Sequence, residues 1–227
     1  MKRILKQGIV VFVLIFAISC SENSTNTNDP NSGLVSNQQI LDEINLARTN
    51  PNFYISLLED MKKYFDGNYY KEPGEITQIT YEGVGAVNET ITALRNYGTR
   101  SALILSEGIS KGCLDHVNDH GSKGLTGHTG SDGSEPWDRA NRYGKWSKSF
   151  GENISYGEKT ARKIVLQLII DDGVPSRGHR ENIFNSKFTK LGAAFGSHSK
   201  WDYMCVIGFA GEYEEKTSSI SFSQFSK

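Results

Sequence analysis

The sequence predicts an α+β fold, and three observations carry that prediction. From Ile40 to Ile170 apolar residues recur mostly at three- and four-residue steps, the period of helices with one buried face. Beyond them the pattern changes to alternation, first through Leu191, Ala193 and Phe195 and then through Trp201, Tyr203, Cys205, Ile207 and Phe209. The chain has 227 residues of which 37% are hydrophobic, enough for one sizeable core. Helices first and strands last is the α+β order.

The elements follow in chain order. Ser36 with Gln39 three residues later makes a capping-box signal, and Ile40, Ile44 and Ala47 predict a helix from about Asn37 to Arg48. Asn50 is placed to cap a second helix with Pro51 at its first position and Tyr54, Leu57, Leu58, Met61 and Phe65 on its apolar face. Asp66 to Gly85 has no period and reads as a long loop. Val87, Ile91 and Leu94 mark a short helix ending near Gly98. Ser106 is placed to cap the next one, in which Ile109, Cys113, His116 and His120 share a face and which Gly121 stops.

A glycine-rich loop, Thr126 to Ser134, precedes a helix expected over Pro136 to Tyr143, with Ser134 as its cap. Trp137 and Trp146 are expected in the core or a cleft wall. Ala161, Ile164, Val165, Leu168 and Ile169 predict a buried helix that ends at Asp171-Asp172-Gly173. Two acids there oppose the helix dipole, so a cation must offset them: a metal, His179 or Arg177. Ser197 to Lys200 makes the turn of a terminal antiparallel hairpin. The stretch 216–227 is a serine-rich tail in which Ile220 and Phe222 either add an edge strand or stay loose.

The start of the chain reads as a leader. Lys2, Arg3 and Lys6 precede an apolar run, Gly8 to Ile18, that is shorter than the roughly 20 residues of a membrane span. Ser19 before Cys20 resembles a bacterial lipobox, which implies a leader over 1–20 and lipidation at Cys20; a plain leader cut near Ser19 is the alternative. Residues 21–35 are polar and without aromatics, and read as a disordered tether. A net charge of −1 argues against electrostatic capture of nucleic acid. The expected partners are a membrane, through a lipid at Cys20, and an unidentified small-molecule, lipid or protein ligand. Cys113 and Cys205 could form one disulfide if exported, but buried thiols are the expected state.

Chemistry concentrates between Gly127 and Asn182, in three blocks: GHTGSDGSEPWDRANRYG, FGENISYG and RGHRENI. They bring His128, Glu152 and His179, residue types that bind divalent metals or move protons near neutral pH. Glu152 could equally cap a helix. His116 and His120 have the i, i+4 spacing of zinc ligands, but the motif is HVNDH, without the glutamate of HExxH, so a structural role is expected for them.

The three blocks resemble the CAP superfamily of cysteine-rich secretory proteins, antigen 5 and plant pathogenesis-related proteins 1, over roughly Ile40 to Glu212. Asn45 and Arg48 match the NxxR core of that family's first helix. The resemblance implies an α/β/α sandwich, with helices on both faces of a short antiparallel sheet, in a domain spanning 36–215. It also implies a cleft with a His/Glu/Glu/His set, onto which His128, Glu152 and His179 fall. The fourth position, usually glutamate, is here Asp171, with Asp172 beside it. His128 and His179 are then the candidate ligands of a divalent cation, zinc, magnesium or calcium, with Glu152 and Asp171 in the cleft. The function so implied is an exported binding module for a small or lipidic ligand. The alternative is a metal-assisted hydrolase of peptides or esters with Glu152 as base. GxSxG is absent and neither cysteine has an activating neighbourhood.

Overall fold

The computed structural model describes residues 35–216. The leader, Cys20, nearly all of the tether and the tail after Lys216 lie outside the described residues. Helix α1 is Asn37–Thr49, and both halves of its Ser36/Gln39 capping box form. Helix α2 is Pro51–Met61, with Pro51 at its start; Asn50 gives it no side-chain cap. Phe65 falls outside that helix.

The expected loop 66–85 contains structure. Strands β1 (Phe65–Asp66), β2 (Tyr69–Tyr70) and β3 (Gln78–Ile79) form a small antiparallel sheet. Two-residue strands carry no periodicity, so nothing in the sequence marks them. Asp172 fixes the end of this segment by accepting from the backbone N–H groups of Tyr81 (2.7 Å) and Glu82 (2.9 Å). Helix α3, Val84–Tyr97, follows.

Strand β4 (Ile104–Leu105) leads into α4 (Glu107–Gly121), which Ser106 caps through the Ile109 N–H. Helix α5 is Pro136–Asn141; its cap is Glu135, reciprocated by Asp138, and not Ser134. The chain then runs as a 13-residue strand, β5 (Gly144–Tyr156), through a stretch whose side chains show no clear alternation. A helix cap at Glu152 is thereby ruled out, because that residue pairs with Gly208 within the sheet. Helices α6 (Ala161–Ile170) and α7 (Gly178–Phe184) precede β6 (Lys190–His198) and β7 (Asp202–Glu215).

The main sheet runs β4-β6-β7-β5. Its long pairs are antiparallel, as expected, and β4 adds a parallel pair to β6. Alternation along β7 sends its side chains into two cores. Cys205, Ile207 and Phe209 join α1, α2, α3, α6 and α7 on one face; Met204, Val206 and Ala210 join α4 and α5 on the other. The α/β/α sandwich follows from that division. Close approach of α4 depends on glycine: a Cβ on Gly192 would collide with the Ser110 nitrogen, and one on Gly112 would stand 2.9 Å from that of Ala140.

Cys113 and Cys205 are both buried and unpaired, and they belong to opposite faces of the sheet. Trp137 is 43% exposed, so it is not core; Trp146 packs on Phe150 with ring centroids 5.9 Å apart. Among the described residues no helix is long and apolar enough to cross a membrane.

Candidate functional site

Strand β5 lies at the sheet edge, and successive residues on it point to opposite faces. Glu152 turns toward α5, where His128 Nδ1 is 2.9 Å from its Oε1 and Arg139 Nη2 donates to its Oε2 at 2.8 Å. The carboxylate is only 4% exposed, so Arg139 supplies the charge that burial requires. Arg139 also donates to the carbonyls of His128 and Ser134, both at 2.9 Å, and so shapes the glycine-rich loop. Sequence reasoning misses Arg139. The available signal is Glu152 itself, since a buried carboxylate needs a cation nearby.

Asn153 turns the other way and donates to the carbonyl of His179 at 2.9 Å. His179 Nδ1 lies 2.6 Å from Asp171 Oδ1. Asp171 Oδ2 accepts from the backbone N–H groups of His179 (2.9 Å) and Arg180 (3.3 Å). The acid expected to oppose the α6 dipole thus receives the N-terminal turn of α7 and an imidazole, one of the offsets anticipated. Asp171 sits in the left-handed region, φ 57°, as the C-cap of α6, and Arg177 donates to its carbonyl at 2.7 Å.

The four predicted residues therefore form two carboxylate–imidazole pairs, His128–Glu152 and His179–Asp171, on either side of the β5 edge. In each, the carboxylate holds Nδ1 and leaves Nε2 free, which is how ligand histidines are oriented. Those two Nε2 atoms are the donors that a divalent cation would meet, one from each pair. The pairs do not close into one ligand cage. Among the described residues, the one group of three or more His, Cys, Asp or Glu with ligand atoms within 4.8 Å of one another is His116, Asp119 and His120.

That group lies under the glycine-rich loop. His116 and His120 are 0% and 2% exposed, and burial lowers both imidazole pKa values, which keeps them neutral. Asp119 is not simply solvated: it takes Lys123, Ser131 Oγ and the Ser131 N–H. Asp115 likewise binds Arg142 and Tyr143.

A cavity of about 380 Å³ opens beside the second pair. Met61, Phe65, Ile76, Ile79, Ile154 and Leu166 supply apolar wall, and His179 and Asp171 line one end. Neither His128 nor Glu152 lines it. Tyr156 connects the two regions: it is a cavity wall, and its hydroxyl accepts from Gly127 N–H at 3.2 Å beside His128. Glu72, Glu75, Glu158, Asp171 and Asp172 face the cavity against a single lysine, Lys163, which pairs with Glu75 at 2.8 Å. Burial pushes the Glu158 carboxyl up.

The fold and these blocks define the class. The chain belongs to the CAP family, the cysteine-rich secretory protein family, which matches residues 41–209. Uncharacterized protein YkwD of Bacillus subtilis is 30% identical over 109 residues, covering 48% of this chain and 40% of YkwD. The chain thus matches well under half the length of that relative. Solved structures similar to the chain include two bacterial proteins. One is an outer surface protein from Borrelia burgdorferi, at 19% identity and a TM-score of 0.43, covering 57% of this chain and 89% of that one. The other is an extracellular protein containing a SCP domain from Bacillus anthracis, at 20% identity and 0.40, covering 55% and 38%.

Proposed function

We propose that the protein is an exported, membrane-tethered CAP-domain binding module whose cavity takes a small amphipathic ligand. The observation that carries this reading is the cavity itself. Its volume falls in the range of small-molecule sites, its walls are largely apolar, and a few polar groups converge at one end. Five carboxylates against one lysine disfavour an anionic ligand, so the occupant is a neutral or cationic amphiphile. The Nε2 of His179, held by Asp171, is the group that orients its polar end. A divalent cation at the free imidazole nitrogens would add a Lewis acid to that end of the site.

Export and tethering rest on the leader-like residues 1–20 and on Cys20. A Cys20→Ala protein that still partitions with membranes would remove the anchor. The hydrolase alternative gains nothing from the geometry, because Glu152 is buried, held by His128 and Arg139, and does not line the cavity.

The test is a fluorescence titration with two probes, neutral N-phenylnaphthylamine and anionic anilinonaphthalene sulfonate. The neutral dye is expected to bind saturably and the anionic one at least about tenfold more weakly; Leu166→Trp, which fills the cavity, should abolish both. Binding of either dye that Leu166→Trp leaves unchanged would place it elsewhere and end the reading.

A further inference from the structure

Helix α4 presents His116 and His120 on one face, one turn apart, with ring centroids 4.0 Å from each other. Each keeps a buried Nδ1 without a hydrogen-bond partner. Buried polar atoms are almost always partnered, so two orphans side by side call for a ligand. We propose that His116, Asp119 and His120 bind one zinc-type divalent ion, which clamps the Thr126–Ser134 loop to α4. This site is separate from the cavity and shares no residue with either carboxylate–imidazole pair, and it stands or falls independently of them.

The donor chemistry selects the ion. Two neutral imidazoles and one carboxylate suit zinc and its first-row neighbours, whereas calcium and magnesium prefer an all-oxygen shell. His116 Nε2 donates to the Gly127 carbonyl at 2.8 Å, which fixes the tautomer and leaves Nδ1 as the lone pair. Asp119 Oδ2 accepts one bond, from Ser131 N–H at 2.7 Å, and a carboxylate oxygen can take a second partner.

One ligand atom from each of the three residues lies within 4.8 Å of the other two, and His120 Nε2 is 3.7 Å from Asp119 Oδ2. Bonds of about 2.0 to 2.1 Å in a tetrahedron require separations of about 3.4 Å, so the ion would draw them in by roughly an ångström. Asp119 is the route of entry, since its side chain is 22% exposed while that of His120 is 3%.

The clamp follows from what these ligands already hold. His116 bonds the carbonyl of Gly127 and Asp119 bonds Ser131, so an ion between them fixes both sides of the loop that carries His128. Ion occupancy would thereby set the mobility of a neighbouring site residue.

The test is calorimetry of the full chain with Zn²⁺ alone, on wild type, His120→Met, Asp119→Asn and the double variant His128→Ala/His179→Ala. The double variant is expected to keep one Zn²⁺ equivalent that wild type also binds, and that equivalent is weakened about tenfold or more in Asp119→Asn and lost from His120→Met, whatever His128 and His179 take up besides. Equal uptake by wild type and His120→Met, zero included, overturns the proposal, as does loss of that equivalent from the double variant. If circular dichroism shows His120→Met unfolded, Asp119→Asn decides, and unchanged affinity there overturns it. Hydrogen exchange at Gly127 to Ser131 reads the clamp: Zn²⁺ should slow it in wild type, and unaltered exchange refutes that part.

Discussion

Arg139 and Glu152 form a buried ion pair, 2.8 Å between Nη2 and Oε2, with side chains 2% and 4% exposed. The same guanidinium holds two loop carbonyls, and the same carboxylate holds His128. Removing the cation alone leaves Glu152 buried and uncompensated. Arg139→Met should therefore lose about 3–5 kcal/mol in urea denaturation. Arg139→Lys should recover little, because a point charge cannot span three acceptors. A loss near zero in Arg139→Met would mean that water reaches Glu152.

Asp171 fixes the tautomer of His179. With the carboxylate accepting at Nδ1, the proton sits there and Nε2 carries the lone pair. Nitrogen-15 NMR, at a pH where the ring is neutral, should show His179 mainly in the Nδ1–H form. Asp171→Asn keeps a residue that tolerates the left-handed cap but weakens the acceptor. It should shift the ring toward Nε2–H and cost about 1.5–3 kcal/mol. An unchanged tautomer would show that Asp171 does not orient the ring.

Acid should loosen the segment before α3. Arg177, and then the Gly173 N–H, hold the Glu82 carboxyl down from its ordinary 4.5 to about 2. A folded value below the ordinary one means that the stabilisation is fully present above about pH 4.5 and is lost as pH falls through about 2. Urea midpoints should fall across that window, and less steeply in Arg177→Met, which lacks the pair. An equal slope in both proteins would show that the pair does not survive in solution.

Burial, helped at Cys113 by the nearby Glu152 charge, pushes both internal thiols up. Native protein treated with iodoacetamide at pH 8 should show neither Cys113 nor Cys205 alkylated by peptide mapping, and both alkylated in guanidinium. Labelling of either in the native state would show that one core opens.

The sequence is most informative where one physical signal dominates. The capping box at Ser36 and the apolar stripe of α6 locate those helices to within a residue or so, and alternation locates β6 and β7. Three glycine-flanked blocks single out His128, Glu152 and His179, each of which the fold places in a carboxylate–imidazole pair. What periodicity cannot carry stays hidden: two-residue strands, the parallel β4 pair, and β5, whose lysines, serines and glycines mask its alternation. The His179–Asp171 pair is legible as one of the offsets for the acids that end α6, whereas the His128–Glu152 pair depends on which face of β5 Glu152 takes, and only the assembled sheet decides that. Trp137, expected in the core or a cleft wall, stands on a six-residue helix and is too exposed to be core.

The ligand cavity we propose for this CAP domain lies between the small sheet, α6 and β5. The decisive measurement is methyl NMR during titration with N-phenylnaphthylamine, because it reports position as well as affinity. Saturable shifts are expected at Met61, Ile76, Ile79, Ile154 and Leu166, with Leu125 and Val117 unmoved. Shifts confined to the α4 side, or none at saturating dye, would contradict it.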